Sequence, residues 1–452
     1  MSDAPLPSSL PSDLRGRVLW APRAWVEGRW QESVQLAIDA TGHWSEVRCG
    51  VAPALSSIRL AGPVLPGLVN AHSHAFQRAF AGLAETRSSE HDDFWSWRDR
   101  MYGVALRITP AEMRTVTRQL CTELLHGGYT QLCEFHYLHH EPDGQAYDDE
   151  LAMAWAIADG AADAGIGLTL LPVLYERAGF SQLQLRPDQR RFAADAQCVL
   201  RMRDGIRGAK RPHLDAGVAI HSLRAAAPES IRALMKACQG DDGPIHIHVA
   251  EQTAEVDACL AATGRRPIEW LAHEHLLDAR WQLVHATHAT PAEVDAVAAS
   301  GAGVVLCPTT EANLGDGVPD LPRWLSSGTP LTLGSDSHVG RDWPGELRLL
   351  EYSQRLMQRR RNVCAAPELG EPSTAGRLFN RVLAGGCAAA GMRGRGLEIS
   401  ARADLLLLDT PASLIDGAEG NPLDALVFAD SRALVGRSVV VAGRVVAGGP
   451  AT

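Results

Sequence analysis

Lysine is almost missing from this 452-residue chain: Lys210 and Lys236 are the only two, although lysine and arginine together number 43. Positive charge is therefore guanidinium, which suits planar, bidentate grip on carboxylates. Basic charge is also in deficit, since 53 acidic residues leave a net charge of −10, and this argues against nucleic acid or an anionic membrane as a partner. The nine cysteines are an odd number and contain no Cys-x-x-Cys pair. That speaks against a zinc ribbon or a disulfide frame and predicts reduced, mostly buried thiols in a cytoplasmic protein. No apolar run approaches the ~18 residues of a membrane span. The opening stretch MSDAPLPSSLPSDLRGRVLW has neither a basic n-region nor an apolar h-region, so no secretory signal is expected.

What is present is a soluble-enzyme composition, 46% hydrophobic and 21% charged. Residues 1–62 carry short strand-like runs at 17–20, 33–38 and 57–60, broken by Gly, Pro and polar residues, as in a small β unit. From 63 the pattern becomes apolar strands alternating with amphipathic helical stretches. Eight strands are predicted, at 64–72, 129–137, 166–175, 217–221, 245–250, 281–285, 303–307 and 330–335. Helices are expected between them, as at 110–126, 150–164, 228–238, 254–262, 267–273 and 291–300, several with Pro in the first turn. This predicts an α/β chain: a (β/α)8 TIM barrel over 63–390. The segment 76–108 between the first two strands is too long for a plain connector and is expected to be a functional loop with its own short helix. After a helical stretch at 373–390, residues 391–452 read as β-rich again at 396–409, 425–428 and 438–446. The two chain ends are thus expected to build one small β-sandwich domain, with the barrel inserted between them. The glycine-rich GMRGRG (391–396) follows no strand and is read as a turn rather than a nucleotide loop.

Four fragments carry chemistry at predicted strand ends: VLPGLVNAHSH (64–74), IHIHVAE (245–251), QLVHATH (282–288) and LTLGSDSH (331–338). A barrel gathers such ends into one pocket. His72 and His74, two apart, emerge on one face, and His248 with Asp336 completes a set suited to zinc or a similar divalent ion. His246 faces the same way one layer deeper and reads as a core or supporting residue. Glu251, just past the strand end, stands where a proton shuttle belongs. His285 is placed to orient water or stabilise charge, while His288 reads as supporting or exposed. Neither the third nor the fourth strand has a lysine to bridge two metals, so a single ion is expected. EFHYLHH (134–140) changes face residue by residue and is read mostly as a decoy for metal binding, though Tyr137 is free to offer its hydroxyl. His221 and Arg224 share one rim, and Arg98 lies in the long first loop beside Phe94, Trp95 and Trp97. Together they suggest a pocket that holds carboxylates.

These residues resemble the amidohydrolase superfamily, in its single-metal aminohydrolase branch: His-x-His on the first strand, His-x-x-Glu on the fifth, His on the sixth and Asp on the eighth. Within it, HSHAFQRA (72–79), FWSWR (94–98), EFHYLHH (134–140), HSLRA (221–225), HVAEQ (248–252), VHATH (284–288), TEANLGDG (310–317) and GSDSH (334–338) are similar to the formimidoylglutamate deiminases. The resemblance implies one zinc ion per subunit on His72, His74, His248 and Asp336. It implies catalysis by Glu251, His285 and Asp336, and substrate contacts at Gln77, Arg98, Tyr137, His221 and Arg224. It further implies hydrolytic deimination of a small-molecule dicarboxylate with release of ammonia, by a homodimer. The residues alone leave open another mononuclear aminohydrolase, acting on a nucleobase, pterin or s-triazine, or a non-catalytic dicarboxylate-binding barrel.

Overall fold

The computed structural model describes residues 10–87, 94–408, 422–429 and 438–447. Eight parallel strands surround one axis: β1 (Leu68–Asn70), β2 (Tyr129–His136), β3 (Gly167–Leu174), β4 (Val218–Ile220), β5 (Ile245–Val249), β6 (Trp281–His285), β7 (Gly303–Leu306) and β8 (Leu331–Leu333). They pair in chain order, and every residue of β2, β3, β5 and β6 is buried, as expected when helices cover the outside and side chains fill the inside. A short extra strand, Leu214–Ala216, pairs with β3 ahead of β4.

The barrel closes between its first and last strands. Ala71 N–H donates to Leu333 O at 2.8 Å, and both Ser335 and Asp336 donate to His72 O at 3.1 and 3.0 Å. Asn70 locks the same seam from inside: its amide donates to Ser335 Oγ at 2.6 Å and its carbonyl oxygen accepts Ser335 N–H at 3.0 Å. At the opposite end, the helix Thr374–Ala389 seals the barrel with its last carbonyls. Ala389 O accepts from His246 Nε2 at 2.8 Å and Ala390 O from Thr169 Oγ1 at 2.9 Å. His246 is therefore the core histidine the sequence predicts.

The small β-sandwich unit is one sheet drawn from both chain ends. Its order runs Arg444–Ala447, Ser438–Val441, Leu405–Leu407, Val64–Leu65, Val18–Val26, Arg29–Ile38 and Trp44–Arg48, with Ile58–Arg59 beside Val18–Val26. It has its own core, including Leu19, Leu36, Trp44 and Leu405. Arg402 joins it to the barrel, donating to Gln131 Oε1 and Thr130 O while pairing with Asp404 at 2.6 Å.

Two expectations are corrected. The predicted first strand 64–72 is divided: Val64–Leu65 belongs to the small sheet, and the barrel strand begins only at Leu68. Pro66 and Gly67 make the break, and a Cβ on Gly67 would lie 2.3 Å from Thr130, so the two sheets approach there through a bare backbone. The stretch 425–428, read as β, is the end of a helix, Pro422–Phe428. An apolar run this short fits either period. Residue 409, the last of the expected strand 396–409, lies outside the described residues. The long first loop contains a 3-10 turn at Ala75–Ala79 and a helix at Phe94–Ala105. All nine cysteines are free thiols, both lysines are exposed, and among the described residues no helix is long and apolar enough to cross a membrane.

Candidate active site

His72, His74, His248 and Asp336 converge at the C-terminal end of the barrel. Their ligand atoms all lie within 4.8 Å of one another, and all four residues are buried. Asp336 Oδ1 is 3.4 Å from His72 Nε2 and 3.3 Å from His74 Nε2, and His248 Nε2 is 3.0 Å from His72 Nε2. His74 Nδ1 donates to Phe135 O at 3.1 Å and His248 Nδ1 to His221 O at 2.9 Å. Those bonds put the proton on Nδ1 and leave the Nε2 lone pair facing the centre. Burial, the leading cause in each case, holds the pKa of His72 and His248 well below its ordinary value and lowers that of His74. Three neutral imidazoles and a carboxylate, packed this closely and dry, form a donor set for a divalent ion.

The backbone is strained where it delivers these groups. Ala250, His285, Ala286 and Asp336 all have left-handed φ, from 46° to 71°. Such conformations cost of order 1–3 kcal/mol each for non-glycine residues. They turn the chain sharply at the ends of β5, β6 and β8, so that the last side chains face inward.

His285 lies beside the four donors. Its Nε2 is 3.7 Å from Glu251 Oε1 and 3.8 Å from Asp336 Oδ2. Burial opposes an imidazolium there, yet the carboxylates of Glu251, Glu311 and Asp336 outweigh it and raise the pKa to about 10. Glu251 is raised to about 7, chiefly by burial; His285 opposes the rise, and Asp336 and Glu255 add to it. A carboxyl poised near neutrality beside the donor set has the acidity that proton shuttling requires.

These groups open into one cavity. Gln77, Arg98, Tyr137, His221 and Arg224 all line it, along with His74, His248, Glu251, His285 and Asp336. Tyr137 accepts from Gln77 Nε2 at 3.3 Å. Trp97, Arg98, Met101 and Tyr102 enter from the helix Phe94–Ala105 as one wall, and the Arg98 guanidinium carbon is 5.6 Å from the Tyr102 ring centre. The side chains of Phe94 and Trp95, part of the expected aromatic cover, lie outside the described residues. His288 is half-buried and lines no part of this cavity.

Several contributors escape a reading of the sequence. Glu134, in the supposed decoy EFHYLHH, accepts from Ser73 Oγ at 2.6 Å and Ala75 N–H at 2.7 Å, and so holds the turn that carries His74. His338 bonds Ser335 Oγ through Nδ1 at 2.9 Å. Glu311 accepts from His285 Nδ1 at 3.2 Å. Asp316 accepts from Gln252 and lies with Glu251 and His285 in a second cluster of close donor atoms. Asn70 leaves a signal in its spacing, two residues before His72 on the same face of the strand, whereas Glu311, Asp316 and His338 leave one only as members of the strings TEANLGDG and GSDSH.

The Amidohydrolase family model matches residues 64–446. Formimidoylglutamate deiminase of Pseudomonas aeruginosa is 44% identical over 428 residues, covering 94% of this chain and 93% of that protein. A 5-methylthioadenosine/S-adenosylhomocysteine deaminase of Natronomonas pharaonis is 28% identical, covering 77% and 73%. Among solved structures, an amidohydrolase from Brucella melitensis superposes with a TM-score of 0.90 at 41% identity, covering 96% of this chain and 95% of the other.

Proposed function

The chain belongs to the amidohydrolase family, and from that premise we propose that it is a zinc-dependent hydrolase that deiminates N-formimino-L-glutamate to N-formyl-L-glutamate and ammonia, a step of histidine degradation. The observation that carries this reading is one cavity shared by the four-donor cluster and by two arginines, Arg98 and Arg224. A substrate with two carboxylates and one amidine matches that arrangement. The 44% identity to a formimidoylglutamate deiminase over nearly the whole length supports it.

The divalent ion that His72, His74, His248 and Asp336 would hold supplies Lewis acidity, which makes water reactive near neutral pH. Zinc, one per subunit, suits three imidazole nitrogens and a carboxylate better than the oxygen-seeking ions do. Arg98 and Arg224, with Tyr137 and His221, hold the carboxylates and so place the amidine carbon near Asp336 and His285. A water oxygen bonds to that carbon while the C=N pair of electrons moves onto nitrogen. Asp336 and His285 position the water and take part in removing its proton. Glu251 gives a proton to the departing nitrogen; as the C–N bond breaks, the adduct's hydroxyl yields its remaining proton toward that nitrogen, so that ammonia leaves and the N-formyl product remains. Gln77 steadies Tyr137. The boundaries 1–62, 63–390 and 391–452, a homodimer and a cytoplasmic site of action belong to the same reading; light scattering of the purified protein tests the dimer.

Ammonia release from N-formimino-L-glutamate, assayed beside 5-methylthioadenosine and 8-oxoguanine, tests the substrate. Arg224→Met should lower kcat/KM for the dicarboxylate by about 10²-fold, the scale of losing a charged hydrogen-bonded contact, with zinc content unchanged. Turnover of the purine in preference to the amidine would replace this reading with that of a nucleobase or nucleoside aminohydrolase.

A further inference from the structure

The segment Thr310-Glu311-Ala312-Asn313-Leu314-Gly315-Asp316-Gly317 is part of the resemblance, but no substrate or ion contact accounts for it. The short helix Pro308–Leu314 follows β7 directly, and from it Glu311 reaches back beneath the end of β6. Its side chain is buried. Oε1 accepts Cys307 N–H at 2.8 Å, which fixes the carboxylate, and lies 3.2 Å from His285 Nδ1.

The His285 ring is thereby located on three sides. Its face stacks on His248, with centroids 5.6 Å apart and planes 12° from parallel. Nδ1 meets Glu311, and Nε2 looks toward Glu251 Oε1 and Asp336 Oδ2. A neutral imidazole has one N–H and one lone pair, and an ionised carboxylate only accepts. With Glu311 at Nδ1, that nitrogen carries a proton whether the ring is neutral or an imidazolium, and Nε2 is the atom that faces the reaction. A ring with no proton on Nδ1 would set a lone pair against a carboxylate.

We propose that Glu311 is a positioning residue for the hydrolysis, holding His285 by its Nδ1–H so that Nε2 is the atom presented to the attacking water. The inference rests on the reading above in which His285 acts on that water. Glu311 touches neither substrate nor ion; it acts through the ring.

Two variants and a spectrum test it. Glu311→Leu removes the acceptor, whereas Glu311→Gln keeps an oxygen for both Cys307 N–H and His285 and loses only the charge. Glu311→Leu should lower kcat by about 10²-fold or more, as supporting partners of this kind do, with KM and zinc content unchanged; Glu311→Gln should fall between it and the unaltered enzyme. Nitrogen-15 spectra of histidine-labelled, zinc-free protein, with His285 assigned by its loss in His285→Asn, should show Nδ1 protonated. An unprotonated Nδ1, or full kcat in Glu311→Leu, overturns the proposal. If Glu311→Leu does not fold, the spectrum and Glu311→Gln decide: the same kcat in Glu311→Gln together with an unprotonated Nδ1 refutes it. Should His285→Asn itself remain active, the reading in which His285 acts on the water fails first, and that outcome is distinct from loss in His285→Asn with none in the Glu311 variants.

Discussion

His246 and His248 stand two residues apart on β5, point into the same barrel and are both buried, yet they do opposite things. His246 meets the end of the sealing helix, where Ala389 O accepts its N–H. That bond holds the ring at the sealed end, away from the donor cluster. His248 meets its neighbour's backbone through Nδ1 and turns Nε2 toward Asp336, His72 and His74. Residue type, strand and face are shared, so none of them makes a ligand. The level along the barrel axis decides it, because one end is capped by helix carbonyls and the other by loops that gather further donors.

The difference between the two levels predicts a graded set of outcomes. The largest belongs to the upper level: Asp336→Ala or His248→Ala should weaken zinc binding by more than ~10²-fold, since even an outer partner costs 10–100-fold, and activity should vanish with the metal. Metal analysis after dialysis checks this, and full zinc occupancy in Asp336→Ala would remove the cluster from its assigned role. Next, Glu251→Gln should lower kcat by about 10³-fold while zinc stays bound, within the 10²–10⁴ typical of a proton-transferring side chain. Ammonia release and zinc content, measured on the same sample, separate that effect from the first. The smallest change in activity belongs to the lower level. His246→Leu should leave kcat and zinc content nearly unchanged but cost about 1–3 kcal/mol of stability, because Ala389 O keeps only the weak Cys133 thiol at 3.6 Å as a donor. Denaturant unfolding measures the cost, and a drop in zinc content would erase the contrast between the two histidines.

Much of this arrangement is legible in the amino-acid sequence. The eight strands and their order follow from apolar runs alternating with amphipathic helical stretches, and all nine residues expected around ion and substrate, with Glu251 and His285 beside them, face the same space. Ligands are readable because they sit at strand ends, where spacing alone assigns a face. Glu134, Glu311 and Asp316 are not readable for the opposite reason. Each acts through a partner from another strand, and an acid that supports a histidine looks in sequence like any other acid. Glu134 is further hidden by its neighbours, since three histidines within six residues suggest metal binding rather than the carboxylate beneath. The division of 64–72 between two sheets is marked only by Pro66-Gly67, a pair equally consistent with one strand beginning at 68. Pro422–Phe428 is lost because seven residues are too few for a helical period to separate from an alternating one.

The seam where the barrel closes lies directly under the donor cluster. Asn70 and Ser335, 265 positions apart in sequence, are bonded there, with His72 and His74 on one side and Asp336 on the other. A cation held by all three would stitch together the opening and closing edges of the sheet. During synthesis such a stitch has no second edge to grip until the eighth strand has emerged and docked. Acquisition of the ion is therefore tied to completion of the barrel, and a partly made chain has no finished nest to offer it.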